Sequence, residues 1–430
     1  MTKRERANAR AVLAAFSAAA ALGTFGLSGG ISPAAARTIR VSASPGSLTA
    51  AVAAAAAGDT LRIAAGVYQE YGIEITRPTT LIGEGFPVID AGERGQIITV
   101  RSDSVRIEGL ELRNVGTSFM EDRAAVKLVN ASGCTIARNR IVNGFFGIYL
   151  ENSGSCTVSG NEVRGQAERE STSGNGIHLW HCRDITIDGN VVSGHRDGVY
   201  FEFVDNSHIT RNQSRDNLRY GLHFMFSHHD SYVDNTFERN GAGVAVMYSD
   251  YVIMTGNRFV RNWGRASYGL LLKDIRDSDV SRNTFRGNTI AIYSEGSNRV
   301  TVTRNDFIEN GYAVKIMGDS FEHTFSHNNF VGNEFEVTTN STRSPNTFRS
   351  NYWSDYHGYD MDGDGVGDIP HHPVRLFSLL VEREPAAVIL MNSLLVKIID
   401  ATERVLPAFT PRMLADDQPL IEAVNIDARE

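Results

Sequence analysis

Proline is scarce in this chain, 11 in 430 residues, while glycine reaches 40. Turns are therefore made by glycine and asparagine. Cysteine is limited to three, with no CxxC pair and no Cys/His spacing of the kind that holds zinc, which speaks against a structural zinc site. There is no basic stripe, and the formal charge is −8, which argues against nucleic acid as a partner. No phosphate-binding loop is present. The uncharged run in the C-terminal tail is too short to span a bilayer.

What is present begins with an export signal. Lys3, Arg4, Arg6 and Arg10 form a charged region, residues 11–27 are apolar, and Ala34-Ala35-Ala36 is a small-residue cleavage site. Glycines interrupt the apolar stretch, which disfavours a permanent anchor. The mature chain is expected to start near Arg37 and to reside in a bacterial periplasm. Removing four basic residues and one acidic residue takes the net charge from −8 to −11.

The fold is written in asparagines. Asn139, Asn161, Asn190, Asn212, Asn235, Asn257, Asn283, Asn305, Asn328 and Asn351 follow one another at steps of 22, 29, 22, 23, 22, 26, 22, 23 and 23. A period of this size with strand-like content predicts an all-β, right-handed parallel β-helix. A second column follows, Asn143, Asn217, Asn240, Asn262, Asn288, Asn310 and Asn333. Stacked amides donate to one coil and accept from the next, so these columns are structural.

The expected organisation is a signal over 1–36, an N-terminal cap over 37–59, coils over 60–353, an Asp/Gly-rich loop over 354–373 and a helical tail over 374–430. The alanine-rich run 47–57 reads as a capping helix with Ser47 near its N-cap and Gly58 just past its end. The tail reads as a helix over 386–406, with Val388, Met391, Leu395, Ile398 and Ile399 on an apolar side. Cys134 and Cys156 precede their asparagines by the same interval, so they should sit on adjacent coils about 4.8 Å apart. A disulfide and a reduced stack are both compatible with that spacing. Cys182 has no such partner.

Candidate binding residues come from the strand after each asparagine turn. Side chains alternate across a strand, which yields two outward columns. One runs Tyr149, His178, Tyr200, His223, Ala245, Leu271, Tyr293; the other runs Glu151, Trp180, Glu202, Met225, Met247, Lys273, Glu295. An aromatic, His- and Met-bearing face signals a ligand or partner. Insertions at 116–123, 164–175 and 264–267 should wall it. Thioethers of Met225 and Met247 with the imidazole of His223 suit transient Cu(I). Glu151 and Glu202 could instead flank a sugar as acid and base, at a distance of about 10 Å, the edge of the inverting range. Asp360, Asp362, Asp364, the Val366 carbonyl and Asp368 follow the first part of a calcium loop, but position 12 is His371 rather than Glu.

Several runs resemble the NosD family of periplasmic β-helix proteins. They are Asn351-Tyr352-Trp353-Ser354-Asp355-Tyr356, Gly358-Tyr359-Asp360, the Asp/Gly loop, and Pro370-His371-His372-Pro373. Gly58-Asp59-Thr60, Gly66-Val67-Tyr68 and Gly221-Leu222-His223-Phe224-Met225-Phe226 add to the resemblance, which covers nearly the whole mature chain. It implies a non-enzymatic role in maturing nitrous-oxide reductase. The implied partners are an ABC transporter (ATPase and membrane subunits), a copper chaperone and the reductase, whose copper–sulfide centre is assembled in the periplasm. It carries over no catalytic residues. The alternative is a β-helix polysaccharide lyase, hydrolase or epimerase.

Overall fold

The computed structural model describes residues 36–426, apart from 119, 265–266, 342–343, 392 and 406–412. The expected export signal thus lies outside the described residues, save for Ala36.

Each coil contributes three short strands, as in Thr135–Ala137, Arg140–Val142 and Phe146–Glu151. Equivalent strands stack into three parallel sheets of 14, 13 and 12 strands among the described residues, so the chain is a parallel β-solenoid of about 14 turns. The register is one coil per strand, with Ile136 opposite Val158 and Ile148 opposite Ile177. Inward residues of all three sheets merge into one apolar column from Val41 to Trp353, continued by Val374 and Leu414. Along the second sheet Phe237, Phe259, Phe285, Phe307, Phe330 and Trp353 stack with ring centroids 4.1–5.5 Å apart.

The asparagine ladder works as its spacing implies. Asn257 Oδ1 accepts from the Asn235 backbone N–H and side-chain amide, both at 3.0 Å. Its Nδ2 donates to the Tyr232 carbonyl at 2.9 Å and to Asn283 Oδ1 at 3.0 Å. The second column differs at its start. Asn143 sits in the left-handed region and donates to Asn114 Oδ1, outside the buried stack. His195 heads the column instead, giving its backbone N–H to Asn217 Oδ1 at 3.1 Å.

Both ends depart from expectation in detail. The first strand, Thr38–Val41, pairs with Thr60–Ile63, so coiling begins ahead of the helix. Helix α1 spans Ser47–Ala54, and Gly46, not Ser47, holds the N-cap position. Its free N–H groups are satisfied by Glu70, whose carboxylate accepts from Leu48 N at 3.1 Å and Thr49 N at 2.7 Å. A carboxylate suits the positive end of a helix, and it reaches there from a neighbouring coil.

At the other end the tail is broken into α2 (Leu376–Arg383), a 3₁₀ turn (Pro385–Leu390) and α3 (Leu394–Val405) rather than one helix. Pro385 cannot donate a backbone hydrogen bond, which fits the break. Phe377, Val381 and Val396 pack on Phe335 of the third sheet, and Lys315 pairs with Glu382 at 2.7 Å. The side carrying Val388, Leu395 and Ile398 faces solvent instead of the solenoid. The three cysteines are free and buried, and the Cys134 backbone N–H points at Cys156 Sγ, 3.4 Å away.

Candidate functional site

The outer face of the third sheet is shaped by glycines that let successive coils close up. A Cβ at Gly221 would come within 2.7 Å of the Gly243 carbonyl oxygen. Beyond each glycine the alternation holds: Leu222 and Phe224 enter the core, while His223 and Met225 lie on the other side. Register aligns Tyr149, His178, Tyr200, His223 and Ala245 in one column, and Glu151, Trp180, Glu202, Met225 and Met247 in the next.

The first column is not the open surface its alternation predicts. Tyr149 and His223 are each 5% exposed, and Ala245 and Leu271 are also buried. The inserted segments close over this face. Asn175 Nδ2 donates to His178 Nδ1 at 2.9 Å, and Ser267 Oγ donates to the Gly241 carbonyl. Alternation separates core from non-core, but it does not say what an insertion will cover.

Beneath the 164–175 insertion lies a charged network absent from the columns. Asp197 is fully buried and accepts from Arg219 in bidentate fashion, Nε to Oδ1 at 2.9 Å and Nη2 to Oδ2 at 2.7 Å, and from Tyr220 N at 3.2 Å. Arg196 Nε stands 3.5 Å from Asp197 Oδ2 without a hydrogen bond. Arg219 Nη2 also reaches His223 Nδ1 at 3.4 Å. A guanidinium can only donate, so His223 Nδ1 is the acceptor and its ring proton sits on Nε2. Burial pushes His223 and His195 down to about 4. Burial, with the charges of Arg196 and Lys127, brings His178 to about 3. All three imidazoles are neutral at any pH near 7. Burial and the Glu202 charge raise the Tyr200 hydroxyl to about 12.

In the second column Met225 and Met247 are directly paired, and Tyr200 Oη lies 3.8 Å from Met225 Sδ. The thioethers can meet a soft cation. His223 shares their face, but it presents an N–H, and the neighbouring guanidinium opposes a cation there. Glu151 and Glu202 are aligned with Trp180 between them, and Glu151 is paired with Lys127 at 3.0 Å.

A further aromatic column adjoins the two that strand alternation gives. His181, Phe203, Phe226 and Tyr248 directly follow the second column, all with positive φ. Their rings stack at 4.7, 5.3 and 5.0 Å with planes within 15° of parallel. The faces are used against one another, leaving edges outward, so interior rings of the stack offer no free face to a sugar. Position directly after Trp180, Glu202, Met225 and Met247 was the signal in the repeat.

The Asp/Gly loop brings Asp360, Asp362 and Asp364 carboxylate oxygens within 4.8 Å of one another. Asp368 accepts from Met361 N at 2.7 Å. His371 turns away, bonding Glu336 at 2.8 Å and packing on Trp353. The oxygen-only donor set suits a hard cation.

These features define a class: a β-solenoid with one roofed, aromatic and polar face and an apolar helical end. Solved structures share the fold at low identity: the Dettilon tailspike protein (TM-score 0.56, 14% identity, 70% of this chain and 66% of that one) and the A-module of the Azotobacter vinelandii mannuronan C-5 epimerase AlgE4 (TM-score 0.52, 17%, 72% and 91%). A family model described as "Periplasmic copper-binding protein (NosD)" matches residues 163–358. The Pseudomonas aeruginosa protein named "Probable ABC transporter binding protein NosD" is 31% identical over 83% of this chain and 86% of its own length. Its namesake from Stutzerimonas stutzeri is 30% identical over 84% and 86%. The chain belongs to the NosD family.

Proposed function

We propose that this protein is a periplasmic docking platform for assembly of the copper–sulfide centre of nitrous-oxide reductase. The observation that carries this reading is similarity over 83% of the chain to a relative named as an ABC transporter binding protein. The tail supplies a surface of the right kind for a membrane subunit: Ile389 is 87% exposed and Leu394 73%, with Leu395 and Ile398 beside them. Contiguous exposed apolar residues mark an interaction site. The copper chaperone and the apo-reductase meet the Met225–Met247 face. Copper is cargo here, held in passing by the thioethers; His223 would join only if Arg219 released its Nδ1. The acidic triad, with the Val366 carbonyl and Asp368 as further donors, takes calcium as a staple at the end of the coils.

The test is co-purification of the full mature chain with the transporter's membrane subunit. Leu394→Glu with Ile398→Glu should abolish association while leaving the melting temperature within a few degrees. Absence of association in the wild type would remove the reading. A second reading, a carbohydrate-active enzyme, draws on a cleft of about 710 Å³ whose lining includes Tyr71, Arg94, Arg101, Asp122, Lys127 and Glu151. Turnover of an acidic polysaccharide, lost in Glu151→Gln, would favour it.

A further inference from the structure

Seven buried side-chain polar atoms lack a hydrogen-bond partner among the described residues, and three of them belong to Asn175, Arg196 and His223. These residues fall on three consecutive coils of one face, beneath or beside the 164–175 insertion. Elsewhere the solenoid satisfies its buried amides coil by coil, so the clustering is not the background of the fold. Buried polar atoms are normally paired, and a local cluster of unpaired ones calls for a missing partner.

The chemistry of that partner follows from the groups. Arg196 Nε–H and His223 Nε2–H are donors without acceptors. The Arg196 charge bears on His178, Tyr200 and His223 alike, so its guanidinium sits within electrostatic reach of all three. Arg196 and Arg219 share the single carboxylate of Asp197, leaving one positive charge in excess. Glu170 in the roof also faces Arg219, but it is exposed and screened by solvent. The Arg196 and Arg219 side chains are 29% and 33% exposed, which gives a solute a way in.

We propose that this roofed site binds a small oxyanion, with Arg196 and the Nε2–H of His223 as its donors. Asp197 and Arg219 are positioning residues: Asp197 fixes Arg219, and Arg219 fixes the His223 tautomer. Asn175 Oδ1 is left for a hydroxyl of the ligand or a bridging water. The site is separate from the tail surface and does not depend on what docks there.

The experiment uses the full mature chain with ¹⁵N-labelled histidine. The His223 Nε2–H resonance is followed while sodium sulfate or sodium acetate is added, with sodium chloride at matched ionic strength as the control. A saturable shift with sulfate or acetate, and none with chloride, is expected; preference for acetate would indicate a carboxylate-bearing ligand. Arg196→Gln, at a partly exposed position, should keep the fold and weaken binding about tenfold or more, the loss of one charge-assisted hydrogen bond. His223→Phe assigns the resonance. No saturable shift with either anion would mean that ordered water alone satisfies these donors, and unchanged affinity in Arg196→Gln would mean that Arg196 does not hold the anion; either result would overturn the proposal.

Discussion

Asp416 terminates the asparagine ladder. Its fully buried carboxylate accepts from Ser350 N, Asn351 N, Asn351 Nδ2 and Trp353 Nε1 at 2.9–3.1 Å. It stands where the next coil's asparagine would be. Asp416→Ala would strand those donors, each at a cost of roughly 1–3 kcal/mol. We expect a loss of several kcal/mol in a denaturant titration, with faster hydrogen exchange confined to the last coil. Asp230 is a different buried acid. Oδ1 accepts from Ser207 N at 2.7 Å while Oδ2 has no partner, and burial lifts its carboxyl to about 8. The folded state therefore keeps a proton that the unfolded chain loses near the usual carboxylate value. Between about pH 4 and pH 8 this group makes stability fall as pH rises. Asp230→Asn should raise the melting temperature at pH 8, and the gain should vanish near pH 4; a gain independent of pH would contradict the assignment. Neither role could be read from the sequence: Asp416 lies 65 residues beyond its ladder partner, and Asp230 shares the column of Cys134 and Cys156, five residues before the ladder asparagine, where spacing does not tell which side chain is left half-paired.

At the scale of the element, spacing was enough for the ladder, the strand alternation and the insertions. Ten asparagines in register leave one solution. The limits were physical. The Glu70 cap and the roofing of the third sheet depend on which side chains meet across coils, which the period does not specify, and the tail lies beyond the repeat, with Pro385 at its break. The ladder itself predicts position-dependent loss. Asn257→Leu removes two donor and two acceptor contacts in mid-column. It should cost about 3 kcal/mol or more by urea titration, whereas the same change at Asn298, a half-buried strand residue whose side chain lies outside the ladder, should cost far less. Equal costs would mean that the ladder is not what holds the coils in register.

At the scale of the whole molecule, the solenoid is a column whose stability passes from coil to neighbouring coil. Function is therefore confined to its faces and ends. The third sheet offers a roofed polar face and a thioether pair, and the C-terminal end offers an apolar helical surface. Fold alone does not choose between a platform and a carbohydrate enzyme, since unrelated activities share it. Family membership favours the platform. The most direct measurement is made in a strain lacking this gene, with nitrous-oxide reductase purified and assayed for its copper–sulfide centre. The account predicts a reductase without that centre, restored by the wild-type gene. A fully loaded reductase from the deletion strain would contradict it.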